Sequence, residues 1–586
     1  MFVRISKTRD GVKYAHIVEA YRDESGKSRQ RIVERCGKVA DLLAADPDAL
    51  AKLKARASEL TAAARSRRGA ITYDTSSPSS GGLPLNLGWL LGVAVLDRLG
   101  AAEVLRKTAK ARGWRVDAAR MLETLVAARL ACPCSKETSV GRTGRMLLDG
   151  GDFGLRHLYQ ALDQIGQMSL ELQQAAFKGV GRTAESLSTV DYGATDYFFH
   201  IDCADADVIS STASRGRTCH KRGAPKEHRL NLVIQLVLFC DADGIPVCYQ
   251  LFGGSAPDMS AFPATVAEFK STFAPGRVVV IGDKTQNTWS RLGALSQRAD
   301  GWIVSEPTRK ADAKLRAWLD DPTGWMWNTD RTSRCKSTPL KRAVSIKLNG
   351  MPSVAKETAE KIVATWSAAR AGHDRRTRQD IIAQAKALAR DNARRRAGGK
   401  NGLKHTALEA VGLAAGETTT ANDGLLRVAA KIGADARLDG CQLIRTTEII
   451  APDEQVIARY RQLFQIEDAF RVIKADLEAR PVHVRSPLHV EAHFTVCFLA
   501  LLVTRLIQKW TGLPAGRLLA ALRHLEAIPV GGGVYRICRP TAWDQIDAAT
   551  GCPLNQDWAT LAELRQWRRS LAKAVKGTAF AALQTI

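Results

Sequence analysis

An α/β fold is predicted for this chain, and three observations predict it. Leu and Ala at helical spacing fill residues from about 85 to 180, and short β-type runs replace them between 195 and 305. Long helical patterns return after 456. One β-type run, Arg277-Val-Val-Val-Ile-Gly-Asp283, carries a carboxylate at its end. The carboxyl end of a buried strand is where ligand and metal sites gather in open α/β sheets.

Taken in order, residues 11–36 read as a β-hairpin about the turn-forming cluster Asp23-Glu-Ser-Gly-Lys27. In its second run Arg29, Arg31 and Arg35 alternate, which puts them on one face of an ideal strand, where they face DNA or solvent. Residues 48–68 read as a helix ending in Arg65-Ser-Arg-Arg68, and Thr75-Ser-Ser-Pro-Ser-Ser-Gly-Gly82 has a linker's composition. Strands follow at Thr195 to Ile201, Leu232 to Phe239, Pro246 to Phe252, Arg277 to Ile281 and Gly301 to Ser305. Asp241-Ala-Asp-Gly244 joins the second and third as a hairpin turn. Residues 308 to about 435 break the rhythm, and the stretch 331–400 holds 18 Lys and Arg against 5 Asp and Glu. That bias suits either a polyanion-facing segment or a solvated helix.

The net charge of +25 over 586 residues points to a polyanion, since each phosphate met by Lys or Arg releases a counterion. An acidic membrane would want a polybasic amphipathic segment or a lipidation signal, and neither is found, so no membrane partner is expected. At 45% hydrophobic residues the chain can bury real cores. The longest apolar run, Val496 to Val503, is short of the roughly 20 residues that span a bilayer and reads as a buried helix. Twelve cysteines without a CxxC pair offer neither a disulfide framework nor a zinc pattern. With no apolar leader at Met1, a cytoplasmic location is expected.

On a helix over 460–478, Ile466, Phe470, Ile473 and Leu477 make one apolar stripe. Tyr460, Glu467, Arg471, Lys474 and Glu478 form a polar stripe beside it. A carboxylate next to two cations at the margin of a buried face suits a metal-and-phosphate site, with Glu467 on a divalent cation and Arg471 and Lys474 on the DNA backbone. The plainer reading is an i, i+4 ion pair between Glu467 and Arg471.

These residues resemble the DDE transposases of bacterial insertion sequences, the family-four type marked by Y-x2-R-x3-E-x6-K. Here that signature reads Tyr460, Leu463 in place of Arg, Glu467 and Lys474. Lys226-Glu-His-Arg229, Asp241 to Pro246, Arg277 to Asp283, Leu438-Asp-Gly440, Ile444-Arg-Thr446 and His493 follow the same family order. The resemblance implies a ribonuclease-H-like mixed sheet flanked by helices, with an N-terminal β-hairpin and helical DNA-binding region before it. It implies segments at 1–75, 83–185, 186–308 and 436–512 (the core), 309–435 (a basic insertion) and 513–586 (a C-terminal segment). It also implies two Mg²⁺ or Mn²⁺ ions about 3.5–4 Å apart on Asp, Asp and Glu, acting by in-line displacement. Asp283 and Glu467 match two of those acids. Double-stranded DNA at the element's ends and a homodimer are the implied partners. Tyr460, Arg471 and Lys474, with Lys226, His228 and Arg229, are the implied phosphate contacts.

The departure is at the first acid. The family strand reads roughly Y-D-x-T-x-x-x-F, and Tyr192, Thr195 and Phe199 keep that register, so Gly193 occupies the acid's place. Asp191 lies two residues upstream on the same strand face, its α-carbon displaced by roughly 6.5–7 Å. Either a local shift lets Asp191 serve as the ligand, or strand cleavage and transfer are impaired. A transposase-derived DNA-binding protein without catalysis, or a stand-alone nuclease, are the other readings.

Overall fold

A computed structural model describes residues 1–8, 10–22, 28–68, 83–143, 146–149, 153–183, 187, 189–198, 233–253, 258–273, 275–282, 289–308, 311–346, 353–380, 436–479, 482, 484 and 486–577. The chain divides into two compact units, one of residues 1–82, 529–536 and 557–560, the other of 83–528, 537–556 and 561–586.

In the first unit, strands Phe2–Lys7, Lys13–Arg22 and Ser28–Lys38 form an antiparallel sheet beside helices Val39–Ala45 and Ala49–Arg68. Ala15, Ile17 and Val18 of the middle strand are buried with Val39 and Ala57. The third strand does not alternate cleanly. Ile32 pairs with Val18 and Glu34 with Ile17, which leaves Val33 as an inserted residue. A one-residue bulge exchanges the faces beyond it. Arg31 stands opposite Glu19, with their side chains 2.6 Å apart in an ion pair, while Arg35 stands opposite His16. Glu19 and His16 are three apart, so Arg31 and Arg35 lie on opposite faces, and the single arginine face expected from the sequence does not form.

The second unit is built on a nine-stranded mixed sheet. Its strands are β1 (Thr189–Phe198), β2 (Val233–Asp241), β3 (Pro246–Gly253), β4 (Val279–Gly282), β5 (Gly301–Glu306), β6 (Met326–Trp327), β7 (Ser333–Ile346), β8 (Val354–Ser367) and β9 (Cys441–Thr446). The order across the sheet is β6-β7-β8-β9-β5-β4-β1-β2-β3. β4 runs parallel to both β1 and β5, and the other described neighbours are antiparallel. The turn between β2 and β3 forms where Asp241-Ala-Asp-Gly244 predicts it. Asp241 Oδ1 accepts the amide protons of Asp243 and Ile245, each at 2.9 Å, and Gly244 takes φ +73°.

β1 begins six residues earlier than its β-rich run suggested, because Thr189 and Val190 pair with Val279 and Val280 of β4. The region after 308 also departs from expectation. β7 and β8 pair over their full lengths and extend the main sheet through β9. Their lysines hid the strand pattern while taking up structural partners. Lys361 Nζ lies 2.8 Å from Asp453, and the Lys336 ammonium sits 4.7 Å and 4.8 Å from the ring centres of Trp318 and Trp325.

One face of the sheet carries Val190, Tyr192, Phe239, Val280 and Trp302 into a core shared with Phe269. The opposite face, holding Asp191, Gly193 and Ile281, is covered by the helices that follow β9. The longest of these, Pro487–Thr511, passes a length and composition test for a membrane span, yet most of it is buried inside the fold.

Candidate active site

The site forms where β1 and β4 meet the segment carrying Glu467. That segment is not one helix. Asp453–Arg461 ends at Gln462, a new helix runs Phe464–Arg471, and a π-helical turn follows over Val472–Asp476. Tyr460 therefore sits on a different helix from Glu467. The apolar stripe survives the breaks, since Ile466, Phe470, Ile473 and Leu477 are all buried. Leu463, standing at the signature's arginine position, is buried at the junction.

The helix Phe464–Arg471 packs on β1 and β2. Arg505 of the long helix fastens it, donating to the Gln465 carbonyl at 3.3 Å and pairing with Asp468 at 2.8 Å. Glu467 is exposed on its outer side. Arg471 is also exposed and takes Asp468 at 2.8 Å and Asp476 at 3.0 Å as partners, so the alternative pairing with Glu467 is not what forms. Lys474 is half-buried in the π-turn.

Asp191 is 1% exposed, and neither of its carboxylate oxygens has a hydrogen-bond partner among the described residues. Burial, and then the neighbouring Asp241 charge, push its pKa up to about 7. Asp241 is better served, with Arg182 Nε at 3.0 Å beside its two backbone donors. Along β4, Asp191 stands level with Ile281. Asp191 and Ile281 each lie two residues before the positions to which the family resemblance points, 193 and 283.

At 193 itself there is no vacant cradle. A Cβ there would stand 2.9 Å from Phe470 Cε2, closer than real Cβ atoms approach, and 3.0 Å from Ile466 Cδ1, a tight contact. The ends of these two side chains from the Glu467 helix would have to shift for any side chain at 193.

Two stretches of the chain match models of known families. Residues 3–66 match the N-terminal domain of IS1634 family transposases, and residues 203–503, just over half the chain, match the transposase DDE domain. The chain belongs to the DDE transposase family. The DDE match starts after β1, so the strand bearing Gly193 lies outside it. No curated protein matches this transposase. A solved structure, the cryo-EM structure of a piggyBac transposase synaptic complex with hairpin DNA, is similar at 6% identity and a TM-score of 0.31, over 77% of this chain and 75% of that one.

The family implies divalent metal use, and the transposase's own residues test that implication. Asp191 has the orphaned oxygens a cation would satisfy, but it is sealed beneath a helix whose only acid at the signature position, Glu467, points to solvent. No group of three His, Cys, Asp or Glu among the described residues can hold an ion. Among the described residues, Asp191 and Glu467 are the acids that bear on such a site, the first buried and the second exposed. Asp283, Lys226, His228 and Arg229 lie outside the described residues. Sequence reading missed the obstruction by Ile466 and Phe470. Its only signal was the apolar stripe itself, which had to pack on something.

Proposed function

We propose that this transposase binds the duplex ends of its element and that its metal-dependent strand cleavage and transfer are impaired at the first acid. The observation that carries the reading is Gly193, walled by Ile466 and Phe470 on the strand where the family keeps an aspartate. The order β3-β2-β1-β4-β5, with β1, β4 and β5 parallel, supports a ribonuclease-H-like core. In this reading 186–308 and 436–512 make the catalytic core and 309–435 its insertion. Residues 1–75 and 83–185 grip DNA, and two copies bring two ends together.

Asp283 and Glu467 remain as the acids for Mg²⁺ or Mn²⁺. Tyr460, Arg471 and Lys474, with Lys226, His228 and Arg229, hold phosphates in this proposal. Placement errors well under an ångström matter in such sites. Losing the first carboxylate removes several kcal/mol of transition-state stabilisation, about a thousandfold in rate or more.

Nicking and strand transfer on end-sequence duplexes, with Mn²⁺ or Mg²⁺, test the reading. The wild type and Asp191→Ala should both sit near background, while binding ends tightly and with strong salt dependence without metal. Gly193→Asp paired with Ile466→Ala should raise the rate. Robust wild-type activity abolished by Asp191→Ala would show that Asp191 serves as the acid after all.

A further inference from the structure

The chain that leaves the Glu467 helix ends in an unusual way. Leu477 N donates to Val472 O at 2.9 Å and Ala479 N to Ile473 O at 3.0 Å, wider loops than an α-helix closes. Glu478 then takes φ +48°, a left-handed conformation that a non-glycine residue adopts only under constraint. The last carbonyls of such a turn have no partners within it.

Side chains from three other helices meet those carbonyls one after another. Arg523, on the helix Ala515–His524, donates to Asp476 O. Arg129, on Ala118–Ala131, donates to Leu477 O at 3.3 Å and Glu478 O at 3.0 Å. His493, on the long helix, has Nε2 2.9 Å from Ala479 O. Lys136 Nζ lies 2.9 Å from His493 Nδ1. The Ala479 carbonyl can only accept, so Nε2 carries the proton donated to it and Nδ1 accepts from Lys136. Arg129 and His493 are buried. Cations here also meet the negative end of the turn's dipole.

We propose that Arg129, together with His493 oriented by Lys136, is a positioning set that holds the π-turn after Glu467 and so sets where Lys474 meets the DNA backbone. This rests on the DNA-binding function proposed above. In this role the three act through residues 472–479, to whose carbonyls Arg129 and His493 bond.

The test uses the full chain, a labelled duplex of the DNA flanking the gene, and hydrogen exchange. Arg129→Met should speed amide exchange across 472–479 about tenfold or more while the β1–β5 amides stay slow. Lys474→Ala should weaken duplex binding about fivefold, as loss of one phosphate contact does. Arg129→Met should weaken it by a similar factor, and the double variant by no more than the larger single effect. His493→Gln, which keeps a donor for Ala479, should retain near-wild-type binding where His493→Ala does not. If Arg129→Met fails to fold, Arg129→Lys, which reaches one carbonyl instead of two, should give intermediate exchange and binding.

Exchange at 472–479 rising no more than in the sheet overturns the proposal. So does a double variant whose loss is the product of the single losses, about 25-fold, since independent contacts multiply. A wild-type chain that binds no duplex overturns the functional reading and the positioning role with it, and is distinguishable because it precedes any substitution.

Discussion

The substitution Asp191→Asn removes a charge from a buried strand at almost no change in shape. The carboxyl's pKa is pushed from its usual 3.8 to about 7 by burial and by Asp241. The folded state therefore holds a proton that the unfolded state releases between those values. Stability is fully retained below pH 3.8, falls as pH rises towards 7, and stays at the lower level above it. A span of about three pH units at about 1.4 kcal/mol each gives up to about 4 kcal/mol, of which about 3 kcal/mol falls between about pH 5 and pH 8. The amide of the variant cannot ionise, so the variant lacks this loss. Urea unfolding followed by tryptophan fluorescence, on both proteins at about pH 5 and pH 8, should show the variant's advantage growing by about that amount. Taking the difference between proteins cancels the titrating groups that do not sense Asp191, and the remainder reports Asp191 together with Asp241, whose charge acts on it. An advantage equal at the two pH values refutes the account of Asp191 as a buried acid whose pKa is raised. Selective stabilisation of the wild type by Mn²⁺ at the higher pH would refute it differently, by making Asp191 a ligand.

Gly193→Asp alone should destabilise the protein by about 1–3 kcal/mol through overpacking against Ile466 and Phe470. Adding Ile466→Ala should cost less than the sum of the single changes by about 1 kcal/mol, measured by the same unfolding cycle. Gly244→Ala should cost about 1 kcal/mol or more, because Gly244 sits at φ +73° and an added Cβ would collide with Gln465 of the Glu467 helix. Its unfolding midpoint should fall, and the helix's amides should exchange faster. Duplex affinity of the wild type should fall steeply with salt, log K against log[salt] giving a slope of about −0.9 per phosphate contacted. A flat salt dependence would count against a chain of net charge +25 acting on DNA.

Much of this was legible in segments. The β2–β3 turn follows from Asp241 and Gly244, whose side-chain acceptor and φ freedom act within five residues. The stripe Ile466, Phe470, Ile473 and Leu477 follows from helical spacing, and all four are buried. The ordered series around Tyr460, Glu467 and Lys474 identified the family that the chain belongs to. Other features were not legible because they turn on partners distant in sequence. Arg35 changed faces at a bulge specified by the neighbouring strand. The segment holding Lys336 and Lys361 read as either polyanion-facing or a solvated helix, and what meets these lysines is Trp318, Trp325 and Asp453.

Residue order alone pointed to the family to which the chain belongs and to most of the strands of its main sheet, since periodicity, turn chemistry and motif spacing are local properties. Tertiary structure alone decided that burial and Asp241 push the Asp191 carboxyl's pKa up to about 7, that Ile466 and Phe470 crowd position 193, and that Arg129 and His493 bond to the turn beyond Glu467. Each of those depends on desolvation or contact between segments tens to hundreds of residues apart, and no local pattern encodes which side chains will close over a given strand.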